Sequence, residues 1–580
     1  MCSVKLSYVN TKRKITESIR IFYNKYPIAV YSIILLISGL VFALLFNNYV
    51  LGYGFSGALA RLAVKILSTN AFVLVGIGLI MLALATLLNR ALRKYIQANR
   101  FKIKWLVLAY LIVYFLAFTA LSYYRHVNLQ TAFFDFGLEQ QVLWNTSNGN
   151  WFVSSPEVQN YLGDHFSPIL VLPALVYRLF PGALTVFILQ TLAVTFAIAG
   201  IYKLAKWHLQ SDKWAVLIML IFSVFGGVTG VLNFDYHPIS FAMPLLVWGI
   251  YWYLRRPGSL LGISLLVLAT LCKEDVGIFT GMFALSRLVF YRDRKAGVLA
   301  VYSFSIALLA LFVIIPHFRN EPSDTLLRYA ELGDSGGAIV KTLLTQPVFV
   351  WNYLAKSVHF SYLLKLFLPV AFLVVLAPKQ AFILIPSLLV NLLANSPQQN
   401  SAMVHYDVMT SVGIFYATIW GLRNYLNYPN PKPKAESNLA FNWHRISLGF
   451  LLVGINLCFL GGNPAWKYLL ETPNRMTDYQ FIQNEQAQIS PDAKLLVSNT
   501  LGGQFGHFAN VQLYYPMWDL PRYQDADLIF IDNDRYDPVL QELIKQTMEQ
   551  GYIIKSQTSG VVVLSRPSLT RPQTSDSIIS

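Results

Sequence analysis

The residues best suited to chemistry lie in one polar stretch of a very apolar chain, TAFFDFGLEQQVLWNTSNGNWFVSSPEVQNYLGDHFSP at 131–168. It carries Asp135, Glu139, Glu157, Asp164 and His165 among Phe133, Phe134, Phe136, Trp144, Trp151, Phe152 and Tyr161. Ring faces pack on C–H surfaces while carboxylates accept hydroxyl hydrogens, so this mixture suits a sugar or another polar ligand. A membrane-interface loop with an aromatic belt has the same composition. Asp135, in FFDFG, reads either as the cap of a helix starting at Phe136 or as a general base beside the membrane surface. Asp164-His165 reads as a cap, a metal-ligand pair, a binder of an acceptor hydroxyl, or an acid facing a phosphate.

Three later clusters interrupt apolar runs. Asp235 and His237 stand in NFDYHP, where Pro238 opens the next span; His237 either caps that turn or contacts a phosphate or hydroxyl. Lys273-Glu274-Asp275 sets three charges side by side between two apolar runs. Ionisable groups at membrane depth usually face a cavity or pair with one another. Lys273 therefore suits an anionic headgroup, or the turn is a plain outer turn with a local ion pair. His405 and Asp407 follow NSPQQNS and also fit a simple polar loop end. No nucleotide-binding or zinc-protease pattern is present, and LGGQFGHF at 501–508 lacks the GxGxxG spacing.

Membrane helices must position these groups. The 580 residues are 55% hydrophobic and 13% charged, and the apolar runs approach the roughly 20 residues that cross a bilayer. The expected fold is an all-α transmembrane bundle of about thirteen spans with a small C-terminal α/β domain. The spans are expected at 27–48, 70–89, 105–123, 183–204, 214–232, 239–254, 258–272, 276–291, 297–316, 361–378, 380–394, 408–426 and 446–462. Segment 166–180, with Pro168, Pro173 and Arg178, is too short to cross and reads as interfacial or re-entrant. The net charge of +16 collects in short connections, as the positive-inside rule requires, and implies no nucleic-acid partner. Cys2, Cys272 and Cys458 are too scattered for a disulfide framework.

The same charge bias makes 1–26 cytoplasmic and the C-terminal domain extracytoplasmic, in a multi-pass inner (plasma) membrane protein. Outer loops are expected at 124–182 and 317–360, and YPNPKPK at 428–434 reads as a rigid inner linker. This orientation gathers Asp135, Asp164-His165, the 234–238 motif, Lys273-Glu274-Asp275 and His405-Tyr406-Asp407 on the outer face. Within the α/β domain, 463–566, strands are expected at 494–499 and 527–533, a helix at 537–550 and a hairpin at 552–566. Residues 567–580 read as a disordered tail.

The motifs FDFGLEQQVLWNTSNGNWF, LGDHFSPIL, FDYHP, LCKEDVG and NSPQQNS followed by HY occur in this order. Together, over roughly 105–530, they resemble a large bacterial family of predicted polytopic membrane proteins, a domain of unknown function. That family is in turn similar to the GT-C glycosyltransferases, alongside protein O-mannosyltransferases and the aminoarabinose transferase of lipid A. The resemblance implies outer-face catalysis with a polyprenyl-phosphate sugar donor and a glycan, lipid or protein acceptor. It matches the catalytic carboxylate to Asp135, with Asp164 second, and the lysine turn that meets the lipid phosphate to Lys273. This chain departs from that turn at Glu274, where those enzymes have Gly, and Asp407 follows the HY motif where the family runs on through an aromatic.

The implied mechanism is displacement with inversion: Asp135 takes the acceptor proton, while Lys273, His237 and His165 meet the leaving phosphate. Glu139, Asp235, Glu274, Asp275 and His405 are the further substrate-binding candidates. No residue is assigned as a metal ligand, although Asp135 with Asp164-His165 offers a donor set for Mg²⁺ or Mn²⁺. The competing reading is a transporter or flippase of a polar lipid or solute. Against it stand the lack of a two-fold repeat and the position of the carboxylates at span ends.

Overall fold

The structure, a computed structural model, describes residues 100–155, 160–319, 324–427, 448–449, 451–456, 473–490, 492–514, 526–533 and 538–567. The expected spans 27–48 and 70–89, most of 446–462, the basic N-terminus, the 428–434 linker, Glu157 and the tail lie outside the described residues.

The protein is mostly helical because an apolar chain in lipid must satisfy its backbone hydrogen bonds internally. Helices α1 (Arg100–Val127), α2 (Leu138–Ser147), α3 (Val171–Leu179), α4 (Ala183–Leu209), α5 (Asp212–Val224) and α6 (Gly226–Asn233) lead into α7 (Ala242–Arg255) and α8 (Leu260–Ala269). Then come α9 (Glu274–Tyr291), α10 (Arg294–Leu309, continued to Phe318), α11 (Ser357–Phe367) and α12 (Val408–Leu426). Among the described residues three helices are long and apolar enough to cross a membrane: Ile103–Val127, Ala183–Leu209 and Arg294–Phe318. The pair α5 and α6, bent by 44° where Phe225 turns extended, makes a fourth if taken as one span.

Thirteen uniform spans are therefore not what the described residues show. At 361–378 the helix stops at Phe367, and two short 3-10 turns follow around Ala371 and Phe372, both left-handed, with φ of 48° and 54°. At 380–394 the regular helix is only Ile385–Leu393. Pro369, Pro378 and Pro386 explain these interruptions, since proline removes a helical donor. Segment 166–180 is as short as expected, a 3-10 turn leading into the nine residues of α3. One apolar core joins α4 to α9 with α12.

At the C-terminal end, α13 (Met476–Gln486) precedes a five-stranded sheet. Its strands are β1 (Leu495–Ser498), β2 (Val511–Tyr514), β3 (Leu528–Asp532), β4 (Ile553–Gln557) and β5 (Val561–Ser565), with α14 (Pro538–Glu549) before β4. The order is β2-β1-β3-β5-β4. β1 runs parallel to β2 and β3, while β5 is antiparallel to β3 and β4. β1, β3, α14 and the hairpin match the sequence reading, whereas α13 and β2 were not anticipated.

Alternation along the strands gives the sheet two apolar faces. Leu496, Ile529, Ile531, Val562 and Leu564 form one core with Ile544 of α14. Leu495, Val497, Leu513, Phe530, Val561 and Val563 form the other with Phe133, Phe136, Val142 and Leu143. The second face is thus covered by the loop between α1 and α3. The sheet and the Asp135 loop lie on the same side of the bundle.

Candidate active site

Asp135 sits in a π-turn, Phe133–Gly137, that joins α1 to α2. Such wide turns are rare and recur at functional sites. Phe133 and Phe136 are fully buried and anchor the turn, while the Asp135 side chain keeps 31% of its surface exposed. Its Oδ1 lies 3.2 Å from Nε2 of His237. His237 Nδ1 lies 3.1 Å from the Asp235 carbonyl, which can only accept, so Nδ1 carries a proton. Burial pulls the His237 pKa down, but Asp135 and then Glu139 outweigh it and the net shift is upward. Asp135 therefore favours the protonated form of the His237 ring.

The His237 ring stacks on His405, with centroids 3.7 Å apart and planes at 19°. Burial, then the charges of His237, Lys273, His165 and Arg328, push the His405 pKa well below its usual value, so this ring is neutral. His405 in turn packs on Tyr406, 4.2 Å between centroids. Two cations approach the Tyr406 ring: Lys273 Nζ at 5.9 Å and the Arg328 guanidinium at 5.6 Å from its centroid. Arg328 also donates to the Tyr406 hydroxyl at 3.2 Å and to Gln399 Oε1 at 3.4 Å. Among the described residues no carboxylate forms an ion pair with either cation. Burial lowers the Lys273 pKa, yet Asp275, Glu274, Tyr406 and Asp164 raise it by more, so the amine stays charged. Two cations beside one aromatic ring, neither in direct ion-pair contact with a carboxylate among the described residues, make a place for an anion.

The other candidates are spread more widely. His165 lies 3.3 Å from Glu274 Oε1, and the Phe166 amide donates to Glu274 Oε2 at 3.1 Å. Asp164 is held at 2.9 Å by Arg319, which also donates to the Gly163 carbonyl at 2.7 Å. Asp164, His165 and Glu274 thus fasten the loop before α3 to the start of α9 and the end of α10. Asp275 sits beside Lys273 with Oδ1 buried and without a hydrogen-bond partner among the described residues. Asp235 is a brace: Arg125 reaches its Oδ1 at 3.4 Å and the Ala132 amide its Oδ2 at 2.9 Å. The Asp135 and Asp164 carboxylates face different partners, His237 and Arg319. Among the described residues no three His, Cys, Asp or Glu side chains converge on a metal position.

Glu139 is only 3% exposed and accepts from the Tyr161 hydroxyl. Burial pushes its pKa up to about 7, against the pull of His237. A carboxyl whose folded pKa lies above its unfolded one favours folding at low pH, and that advantage is lost as pH rises through the folded value. Glu139→Gln is therefore expected to melt like wild type near pH 5 and to be more stable near pH 8 by about 3 kcal/mol. Parallel melts at the two pH values check this; an equal effect at both would mean that Glu139 is not protonated in the fold.

Arg328, Tyr406, Arg319 and Arg125 are the residues that the sequence reading did not assign. Arg328 and Arg319 had one available signal: each is an arginine in a segment read as outer, against the charge bias.

Beside the polar cluster, α3, α4, α7 and α8 enclose an apolar groove of about 700 Å³. Ile169, Phe241, Trp248, Trp252, Leu265 and Leu268 are among its lining residues. Ile169 and Phe241 follow the His165 and His237 loops closely in sequence, and Leu268 precedes Lys273. The Ile169 amide also bonds the Leu271 carbonyl at 3.0 Å, which ties this end of the groove to the turn bearing Lys273.

Residues 125–563 match the model of the predicted membrane protein family DUF2079. The chain belongs to this family. The match begins at Arg125, the brace of Asp235, and ends at Val563 in the sheet, so this DUF2079 region includes both the polar cluster and the C-terminal domain. No curated protein matches the chain. Two solved structures of ArnT from Cupriavidus metallidurans are similar to it, one bound to undecaprenyl phosphate and one in the apo state. The bound form shows 12% identity and a TM-score of 0.45, the apo form 13% and 0.46. Each alignment covers 80% of this DUF2079 chain and 99% of the ArnT chain. A likeness this loose places no individual residue.

Proposed function

We propose that this chain is a membrane glycosyltransferase of GT-C type that moves a sugar from a polyprenyl-phosphate donor to an extracytoplasmic acceptor with inversion. The observation that carries the reading is the pairing of two half-sites. On one side Asp135 is held by His237 through Oδ1, which leaves Oδ2 for an acceptor hydroxyl. On the other side Lys273 and Arg328 both approach the Tyr406 ring, with no direct carboxylate ion pair among the described residues. The stacked His237 and His405 rings connect the two.

The acceptor oxygen attacks the anomeric carbon as its proton passes to Asp135. The bond from that carbon to the phosphate oxygen breaks, and the electron pair leaves on the polyprenyl phosphate. Lys273 and Arg328 stabilise that charge where it develops. The apolar groove beside the cluster has the character that a polyprenyl chain requires. In this reading the cluster and the sheet face the extracytoplasmic side of the plasma membrane.

The test is a strain that lacks the protein, with and without a restored copy. Loss of a sugar from surface glycans together with accumulation of a polyprenyl-phosphate sugar supports transfer. Unchanged glycans, with uptake of a polar solute into proteoliposomes carrying the protein, would select the transporter reading.

A further inference from the structure

In a parallel β-α-β unit the connection normally supplies a helix that covers the sheet. Here the connection from β1 to β2, residues 499–510, holds only the four-residue helix Asn499–Gly502. The exposed face is filled instead by α2 and the Asp135 turn, through Phe133, Phe136, Val142 and Leu143. Polar pins run along the same seam. Gln141 donates to the Phe508 carbonyl at 2.8 Å and Ser155 to the Val511 carbonyl at 2.6 Å. Gln504 donates to the His126 carbonyl at 3.0 Å, and the Arg475 amide to Asn128 Oδ1 at 2.8 Å. A side chain at Gly502 would collide with Phe133, and one at Gly503 with Thr131. The glycines of LGGQFGHF therefore serve close approach, not phosphate binding.

The pin that matters most is Asn499. Its Oδ1 accepts from the Phe134 amide at 3.1 Å, one residue before Asp135. Two residues earlier in the chain, the Ala132 amide is held by Asp235, two residues before His237. The chain leading into Asp135 thus has two anchors, one in the His237 loop and one in the C-terminal domain. We infer that the C-terminal α/β domain is a clamp that sets Asp135 against His237, with Asn499 as its positioning residue. Its kinetic consequence rests on the reading of Asp135 as the base; the clamp itself does not.

The test uses full-length protein in nanodiscs and follows the titration of the His237 ring by ¹⁵N NMR, with His237→Gln to assign the signal. His237 faces Asp135, Glu139, the Asp235 carbonyl and the neutral His405. Asn499→Ala is expected to move the His237 midpoint down towards about 6.5. It is also expected to lower kcat about tenfold while the acceptor KM changes less than twofold, as a misplaced base predicts. Asn499→Asp keeps an acceptor oxygen and restores the midpoint and kcat. Gly502→Ala leaves every hydrogen-bonding group in place and pushes on Phe133; it must lower the midpoint too. Amide exchange in β1 and β3 reports whether the sheet stays folded. A wild-type midpoint in either folded variant overturns the clamp. A shifted midpoint in a protein whose wild type transfers no sugar upholds the clamp and removes the transferase reading alone.

Discussion

Asp135→Asn is expected to lower sugar transfer by about 10²–10⁴-fold, the usual contribution of a positioned general base. The variant keeps the side-chain size and loses both the proton acceptor and the charge opposite His237. In cells it should insert normally, drop one sugar from the surface glycans and accumulate its lipid-linked donor. A second readout follows from linkage. His237 has a raised pKa chiefly because of Asp135. Its contribution to stability is present below the ordinary value of about 6.5 and is lost as pH rises through the folded value. In Asp135→Asn that dependence should flatten. Normal glycans and an unchanged donor pool, with the variant present and folded, would remove Asp135 from the chemistry and advance transport.

Lys273→Ala and Arg328→Ala are expected to have the next largest effects. Each removes one cation from the proposed leaving-group site, and a lost oxyanion partner commonly costs about 10²–10³ in kcat. Binding of polyprenyl phosphate should weaken by roughly tenfold or more in each variant. If both cations meet the same phosphate, as proposed, the double variant should lose less than the product of the two. Tyr406→Phe keeps the ring and gives up only the hydroxyl bound by Arg328, so its effect should be small. Titration of polyprenyl phosphate into nanodiscs, beside transfer kinetics, checks these expectations. Wild-type affinity and turnover in Arg328→Ala would show that the guanidinium serves Tyr406 and Gln399 alone.

Much of the proposed site was legible because charge is conspicuous in an apolar chain. Asp135, His237, Lys273 and His405 each stand at the end of an apolar run, and the fold brings them into one cluster. The partners of each charge were not legible. Glu139 and Asp235 look like ligand-binding carboxylates in one dimension, but Tyr161 and Arg125 claim them in three. Asp164 is claimed in the same way by Arg319, 155 positions later. Span counting failed where hydropathy sees apolar residues but not the backbone, at the left-handed Ala371 and Phe372. The short β2 was missed because its edge position and few residues leave little alternation to read. The glycines at 502 and 503 carried a real signal of close approach, but only the contact with Phe133 and Thr131 shows what approaches.

The sheet face covered by the Asp135 loop also sets an order of events in biosynthesis. The loop leaves the ribosome more than 400 residues before Val561 and Val563, which complete its cover. At roughly 5–20 residues per second that gap lasts about 20–90 s. Until then Phe133, Phe136 and Leu143 have their early partners, such as Phe187, but lack the complete sheet half of their core. A chain terminated before Val561 is expected to contain every residue of the polar cluster while the sheet side of the Asp135 turn stays incompletely covered.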